Sequence, residues 1–280
     1  MQISYEVPNW TEGCYQDKAS VILCARPWKM VHQKKSAKAV LLCHGFCGYP
    51  GELIRPGMDL FDAGFDVFCP RYSGHGTSGA DFLSTTRKDW LGTAQNAYND
   101  ISEQYKSVYL CGHSMGGPVA ILIASRNPVE RMALIAPALD IKVIPVGKLR
   151  FGRFFLPKRI KTEWVHDGSY HFYYEGTSQD DQLLGNEYWS YRYPRQSWQL
   201  HLLANEAKKA LPQVKADTLA LSGGRDLSVA ESSSILVAHK PLGKNEHLHL
   251  PDASHLMCYD KDLNSQNKAM GAIVEWMTKQ

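Results

Sequence analysis

The run Gly112-His113-Ser114-Met115-Gly116-Gly117, following Val108-Tyr109-Leu110-Cys111, combines residue types from which a nucleophile can be built. A serine hydroxyl attacks poorly unless a base takes its proton and a third group orients that base. The Gly-x-Ser-x-Gly spacing gains meaning when a strand precedes it and a helix follows. A sharp strand-to-helix turn then holds the serine in a strained backbone conformation, and side chains two positions either side would collide. Glycine at 112 and 116 removes those side chains, and Gly117 lets the helix pack closely on neighbouring strands. The chemistry expected of Ser114 is acyl transfer.

In an architecture of this kind the acid and the base follow the serine in that order, each at the carboxyl end of a strand. Thr218-Leu219-Ala220-Leu221-Ser222 reads as a strand ending in Gly223-Gly224-Arg225-Asp226, and His247-Leu248-His249-Leu250 leads into Pro251-Asp252-Ala253-Ser254-His255. His255 is therefore expected to accept the serine proton and return it to the leaving group, while Asp226 fixes the tautomer and stabilises the imidazolium. Asp252 is the alternative acid, but it stands only three residues before His255, a poor position from which to orient the ring. The developing oxyanion needs preorganised donors. The backbone N–H of Met115 is one, and the loop His44-Gly45-Phe46-Cys47-Gly48 supplies the other, from Phe46 with Cys47 as the near alternative. Cys47 has no dedicated base and is expected to pack rather than attack. His113 is expected to pack beside the turn and His75 to order its own loop. His247 and His249 alternate on a strand, but no third ligand stands at a metal-site spacing, so no metal is expected.

These residues must be carried by an alternation of short apolar runs and helical patterns. Ser20–Ala25, Ala39–Cys43, Asp66–Cys69, Ser107–Cys111, Arg131–Ala136, Thr218–Ser222 and Glu246–Leu250 read as strands, apolar on both faces as a buried parallel sheet requires. Glu52–Ala63, Lys88–Tyr105, Met115–Arg126, Val229–Ala238 and Leu263–Met277 read as crossover helices. The fold class expected is α/β, a mostly parallel central sheet flanked by helices. The alternation stops between Asp140 and Leu211, where aromatics crowd the chain (Trp164, Tyr170, Phe172, Tyr173, Tyr174, Tyr188, Trp189, Tyr191, Tyr193 and Trp198). A structureless loop of that length is unusual in a compact domain. Residues 1–139 and 212–280 are accordingly read as the core, and 140–211 as a cap inserted over the site.

Composition narrows the function class. With 280 residues, 44% hydrophobic and 21% charged, the chain is an ordinary globular one, and a net charge of +3 does not point to nucleic acid. Seven cysteines without regular spacing argue against a disulfide framework or a zinc module. The absence of a basic and apolar leader, together with reduced thiols, points to a cytoplasmic location. The apolar runs are too short to span a bilayer. Lys142, Lys148, Arg150, Arg153, Lys158, Arg159 and Lys161 follow one another without an intervening acid. That run is expected to be a solvated face, with transient contact to a membrane surface or recognition of an anionic group as its functional readings.

Taken together, His44-Gly45-Phe46, Arg71-Tyr72-Ser73-Gly74-His75-Gly76-Thr77-Ser78, Gly112-His113-Ser114-Met115-Gly116-Gly117, Asp226 and His255 resemble the α/β-hydrolase superfamily, and within it the bacterial monoacylglycerol lipase and carboxylesterase branch. The resemblance spans Ala39–Ala138 and Lys215–Trp276. It implies hydrolysis of a small-molecule carboxylic ester through an acyl-serine intermediate, with no metal or organic cofactor. The basic run departs from the short apolar cap of that branch. A thioesterase or acyltransferase using the same three residues, and a catalytically silent ligand-binding protein, are the alternative readings.

Overall fold

The computed structural model describes residues 2–165 and 178–279, with the side chains of residues 178, 179 and 181 excepted. A seven-stranded sheet forms its centre. β1 (Trp28–Met30), β2 (Lys38–Cys43), β3 (Asp66–Cys69), β4 (Ser107–His113), β5 (Arg131–Ile135), β8 (Asp217–Gly223) and β9 (Asn245–Leu250) lie in the order β1-β3-β2-β4-β5-β8-β9. Only β1 runs antiparallel, paired to β3; every other pairing is parallel. The chain steps from β2 outward to β3 and then returns past β2 to β4. The carboxyl ends of β2 and β4 therefore border the point where strand order reverses, the place in an open α/β sheet where a crevice forms.

The doubly apolar strands feed two cores. Ala39, Leu41 and Cys43 of β2 and Val108 and Leu110 of β4 enter one, while Val40, Leu42, Tyr109 and Cys111 enter the other. Helix α3 (Arg87–Ser102), opened by a capping box between Thr86 and Asp89, and α4 (Gly116–Ala124) cover the first face. All nine residues of α4 are buried, as expected of a helix apolar on every side and sandwiched between layers. α1 (Ile54–Asp62), reached through a 3-10 turn at Pro50–Leu53, and α9 (Leu263–Thr278) cover the second face. α2 (Gly79–Ser84) sits before α3, and α8 (Ser232–His239) lies over β8 and β9.

Two stretches differ from the sequence expectation. Ser20–Ala25 is not a strand: Leu23–Ala25 forms a 3-10 turn whose donors are used locally, Ala25 N–H to the Ile22 carbonyl and Arg26 N–H to that of Leu23, while Ile22 N–H bonds the Gly76 carbonyl. The edge strand is the short β1 that follows. Between β5 and β8 the chain holds α5 (Val146–Gly152), the pair β6 (Ile160–Lys161) and β7 (Tyr191–Arg192), α6 (Ser178–Leu184) with a π-turn at Gly185–Trp189, and α7 (Pro194–Ala210). α7 packs on α4 and α3, and its Leu200, Leu203 and Ala207 enter the first core. The aromatics Tyr170, Phe172, Tyr173 and Tyr174 lie outside the described residues.

The join of β4 to α4 has no spare room. A Cβ on Gly116 would overlap the Cys43 carbonyl of β2, and one on Gly112 would overlap the backbone of Gly116. Gly116→Ala is therefore expected to force β2 and α4 apart and to cost about 1–3 kcal/mol of stability. Denaturant unfolding that places the variant at the wild-type midpoint would contradict this packing.

Candidate active site

Ser114 leaves β4 with φ +51°, a left-handed conformation that a non-glycine residue rarely adopts. Its surroundings fix it there: Ser114 N–H donates to the Ile135 carbonyl (2.9 Å), and its own carbonyl accepts the N–H groups of Gly117 (3.0 Å) and Ala138 (2.9 Å). The hydroxyl is thereby raised above the carboxyl edge of the sheet. His255 Nε2 lies 2.9 Å from Ser114 Oγ, and His255 Nδ1 lies 2.7 Å from Asp226 Oδ2. Asp226 is 4% exposed, and its other oxygen accepts the N–H groups of Ser228 (2.7 Å) and Val229 (2.9 Å). Burial alone would raise the Asp226 pKa, but the His255 contact and the two N–H donors outweigh it and leave it lowered, so the carboxylate is ionised at neutral pH. Asp252 is elsewhere, on the surface in an ion pair with Arg225 (2.7 Å).

The β2 loop faces the serine. Among the described residues neither Phe46 N–H nor Met115 N–H donates to a protein acceptor. Cys47 also has a left-handed backbone (φ +56°), and its carbonyl accepts the Trp189 indole N–H (3.1 Å). Burial pushes its thiol well up, which leaves it a protonated packing group. His44 anchors the loop in one tautomer: Nδ1–H donates to the Gly45 carbonyl (3.0 Å), and Nε2 accepts Tyr72 N–H (3.3 Å). Burial drives its pKa well below the ordinary value, so it stays neutral. The motif Arg71–Ser78 is likewise structural, with Arg71 paired to Asp17 (2.7 Å) and the Tyr188 hydroxyl donating to the Gly74 carbonyl (2.9 Å).

A buried pair that the sequence reading did not single out supports both halves. Glu52 Oε1 accepts Gly45 N–H (2.5 Å) and lies 3.3 Å from His113 Nδ1, while His113 Nε2 lies 3.0 Å from the His255 carbonyl. Both ring nitrogens of His113 face acceptors, so only the imidazolium satisfies both. Burial opposes that charge, but Glu52 and the His255 carbonyl prevail, and the His113 pKa is raised. One carboxylate thus ties the β2 loop, the residue before the serine and the loop of His255. A glutamate inside an apolar helical pattern was the one available signal, since such a group is almost never buried unless paired.

The residues surround a cavity of about 220 Å³, walled by Phe46, Cys47, Trp164, Trp189, Leu256 and Tyr259 with Ser114 and His255 at its base. Glu52 is its single carboxylate among the described residues, already committed to Gly45 and His113.

The family described as serine aminopeptidase, S33, matches residues 34–262. The chain is 34% identical over 110 residues to the thermostable monoacylglycerol lipase of Bacillus sp. strain H-257, covering 39% of this chain and 44% of that protein. It is 31% identical over 124 residues to a carboxylesterase of Bacillus subtilis strain 168, covering 43% and 50%. The chain spans about half the length of the curated relatives it matches. A solved structure from work on LipS and LipT, two metagenome-derived lipolytic enzymes, superposes with a TM-score of 0.76 at 21% identity, covering 91% of this chain and 99% of that one, which establishes a common fold.

Because the His113 pKa is raised in the folded state, the stability it contributes is present below the unfolded value of about 6.5 and lost as pH rises through the folded one. The stability gap between wild type and His113→Gln is expected to narrow as pH climbs above that unfolded value. A gap that stays constant from acid to alkaline pH in urea titrations would rule the imidazolium out.

Proposed function

The chain belongs to the serine aminopeptidase S33 family, with the α/β-hydrolase fold, and on that premise we propose that it is a serine hydrolase of carboxylic esters. Its substrates are small to medium acyl, monoacylglycerol-like or aryl esters. The reading rests on the unbroken line of contacts Asp226–His255–Ser114 at the base of an aromatic cavity. Ser114 Oγ attacks the ester carbonyl as His255 Nε2 takes its proton, and Asp226 stabilises the imidazolium. The N–H groups of Phe46 and Met115 receive the oxyanion. Collapse expels the alcohol, protonated by His255, and water attacks the acyl-serine by the same route in reverse.

The family description includes aminopeptidases, which must hold a substrate ammonium. Among the described residues, the one carboxylate lining the cavity is already paired, which favours a neutral ester over a peptide amino terminus. Two members of the basic run already have partners within the protein: Lys142 Nζ donates to the Asp226 carbonyl (2.7 Å), and Arg153 stacks on Phe154 (4.2 Å) and Trp198 (4.4 Å). Residues 140–211 act in this reading as a cap on the core of 1–139 and 212–280. Phe151, Phe154 and Phe155 are 66%, 63% and 89% exposed among Arg150, Arg153 and Lys158, a composition suited to an anionic lipid–water surface.

Ser114→Ala is expected to abolish turnover of p-nitrophenyl butyrate while keeping the wild-type melting profile; retained turnover would overturn the assignment. Failure of the folded wild type to react with a fluorophosphonate would favour a ligand-binding role instead. For the cap, Phe154→Ser with Phe155→Ser is expected to reduce co-sedimentation with phosphatidylglycerol vesicles on the order of tenfold or more. Equal sedimentation of variant and wild type would remove the membrane surface from the proposal.

A further inference from the structure

Outside the cavity, a second group of side chains converges on the α8 side of the sheet. His247 and His249 alternate on edge strand β9, so both project to one face, and Ser222 of β8 pairs with His249 in register. Ser222 Oγ lies 2.8 Å from His247 Nε2 and 2.9 Å from His249 Nδ1, and Glu231 Oε1 approaches that same Nδ1 to 3.0 Å. The ligand atoms of Glu231, His247 and His249 all lie within 4.8 Å of one another. Linear spacing shows no third ligand for the two histidines; the fold supplies one from the residue that precedes α8.

We infer that Glu231, His247 and His249 form a zinc-type metal site that ties the Asp226 loop to the strand leading to His255. Two imidazole nitrogens and one carboxylate are the donor set preferred by borderline divalent transition metals, and three protein ligands leave a fourth tetrahedral position for water or the Ser222 hydroxyl. Ligand–metal distances of about 2.0–2.2 Å require donor atoms a little over 3 Å apart; Glu231 Oε1 and His249 Nδ1 stand 3.0 Å apart, and all three ligand atoms lie within 4.8 Å of one another. Placement gives the site its role. Glu231 follows Asp226 by five residues, across a loop whose Ser228 and Val229 N–H groups hold the Asp226 carboxylate. His249 precedes His255 by six. A bound ion would clamp the two segments that carry the acid and the base without touching the reacting atoms.

The test titrates the chelator-stripped full chain with zinc chloride alone, by calorimetry and by thermal unfolding. One equivalent per chain is expected to bind, and free zinc at about 100 times Kd should raise the unfolding midpoint by roughly 5 °C or more. Glu231→Gln and His249→Gln, both at exposed positions, should each weaken binding at least about tenfold and remove the thermal shift. His247→Gln adds the half-buried ligand. Absence of a stoichiometric equivalent in the wild type, or unchanged affinity in Glu231→Gln and His249→Gln, would overturn the site. Neither readout uses ester turnover, so the outcome is separate from that of the proposed hydrolase activity.

Discussion

The turn at Ser114 is the constraint on which the remaining geometry depends. A left-handed serine costs about 1–3 kcal/mol, and it persists because the chain on either side leaves it no alternative. The backbone bonds that hold it come from β5 and from the residues just after β5, so the strain is shared across adjacent strand ends. Ala136, also left-handed at φ +45°, donates its N–H to the Leu221 carbonyl (2.9 Å) and continues the same arrangement one strand further. Relaxing Ser114 would require breaking its bonds to Ile135 of β5, to Ala138 and to Gly117, as well as opening the contact of Gly116 with β2.

Rigidity at the serine is useful only if the facing loop is equally fixed, and Glu52 supplies that. A carboxylate buried among apolar side chains is expensive unless fully paired. Here one oxygen serves Gly45 N–H and His113 together, and His113 carries the restraint on to the His255 carbonyl. The charge is therefore placed where three separate loops meet. An apolar residue at position 52 would leave Gly45 N–H and His113 Nδ1 without their acceptor, so the buried pair fixes the geometry of the loops it joins.

The strands were legible because burial on both faces leaves a run of apolar residues with nothing else to explain it, and because each run stops where the chain reaches the site. Ser114, Asp226 and His255 were placed by those stops. Ser20–Ala25 was misread because an apolar run covered by loops looks the same as one covered by strands. α7 was missed although Pro194 opens it and Leu200, Leu203, Ala204 and Ala207 mark one face, because the aromatics before it obscured the helical period. Glu52 and His113 are 61 positions apart, and Glu231 and His247 are brought together only by the packing of α8 on β9. Such pairs leave no spacing to read; they are products of topology.

The segment between β5 and β8 is bonded to the loops around Ser114 at two separate places. Near its start, Ile141 bridges Val229, Lys142 N–H donates to the Ser228 carbonyl (2.9 Å), and Lys142 Nζ caps the Asp226 carbonyl. Further on, Trp189 donates to the Cys47 carbonyl in the β2 loop, and Tyr188 reaches the Gly74 loop beside it. The Asp226 loop and the β2 loop facing Ser114 are thus each bonded to described residues of this segment. Lys142, the first of a basic run expected from the sequence to be a solvated face, instead has its ammonium bonded to the Asp226 carbonyl and is part of the frame that holds that loop in place.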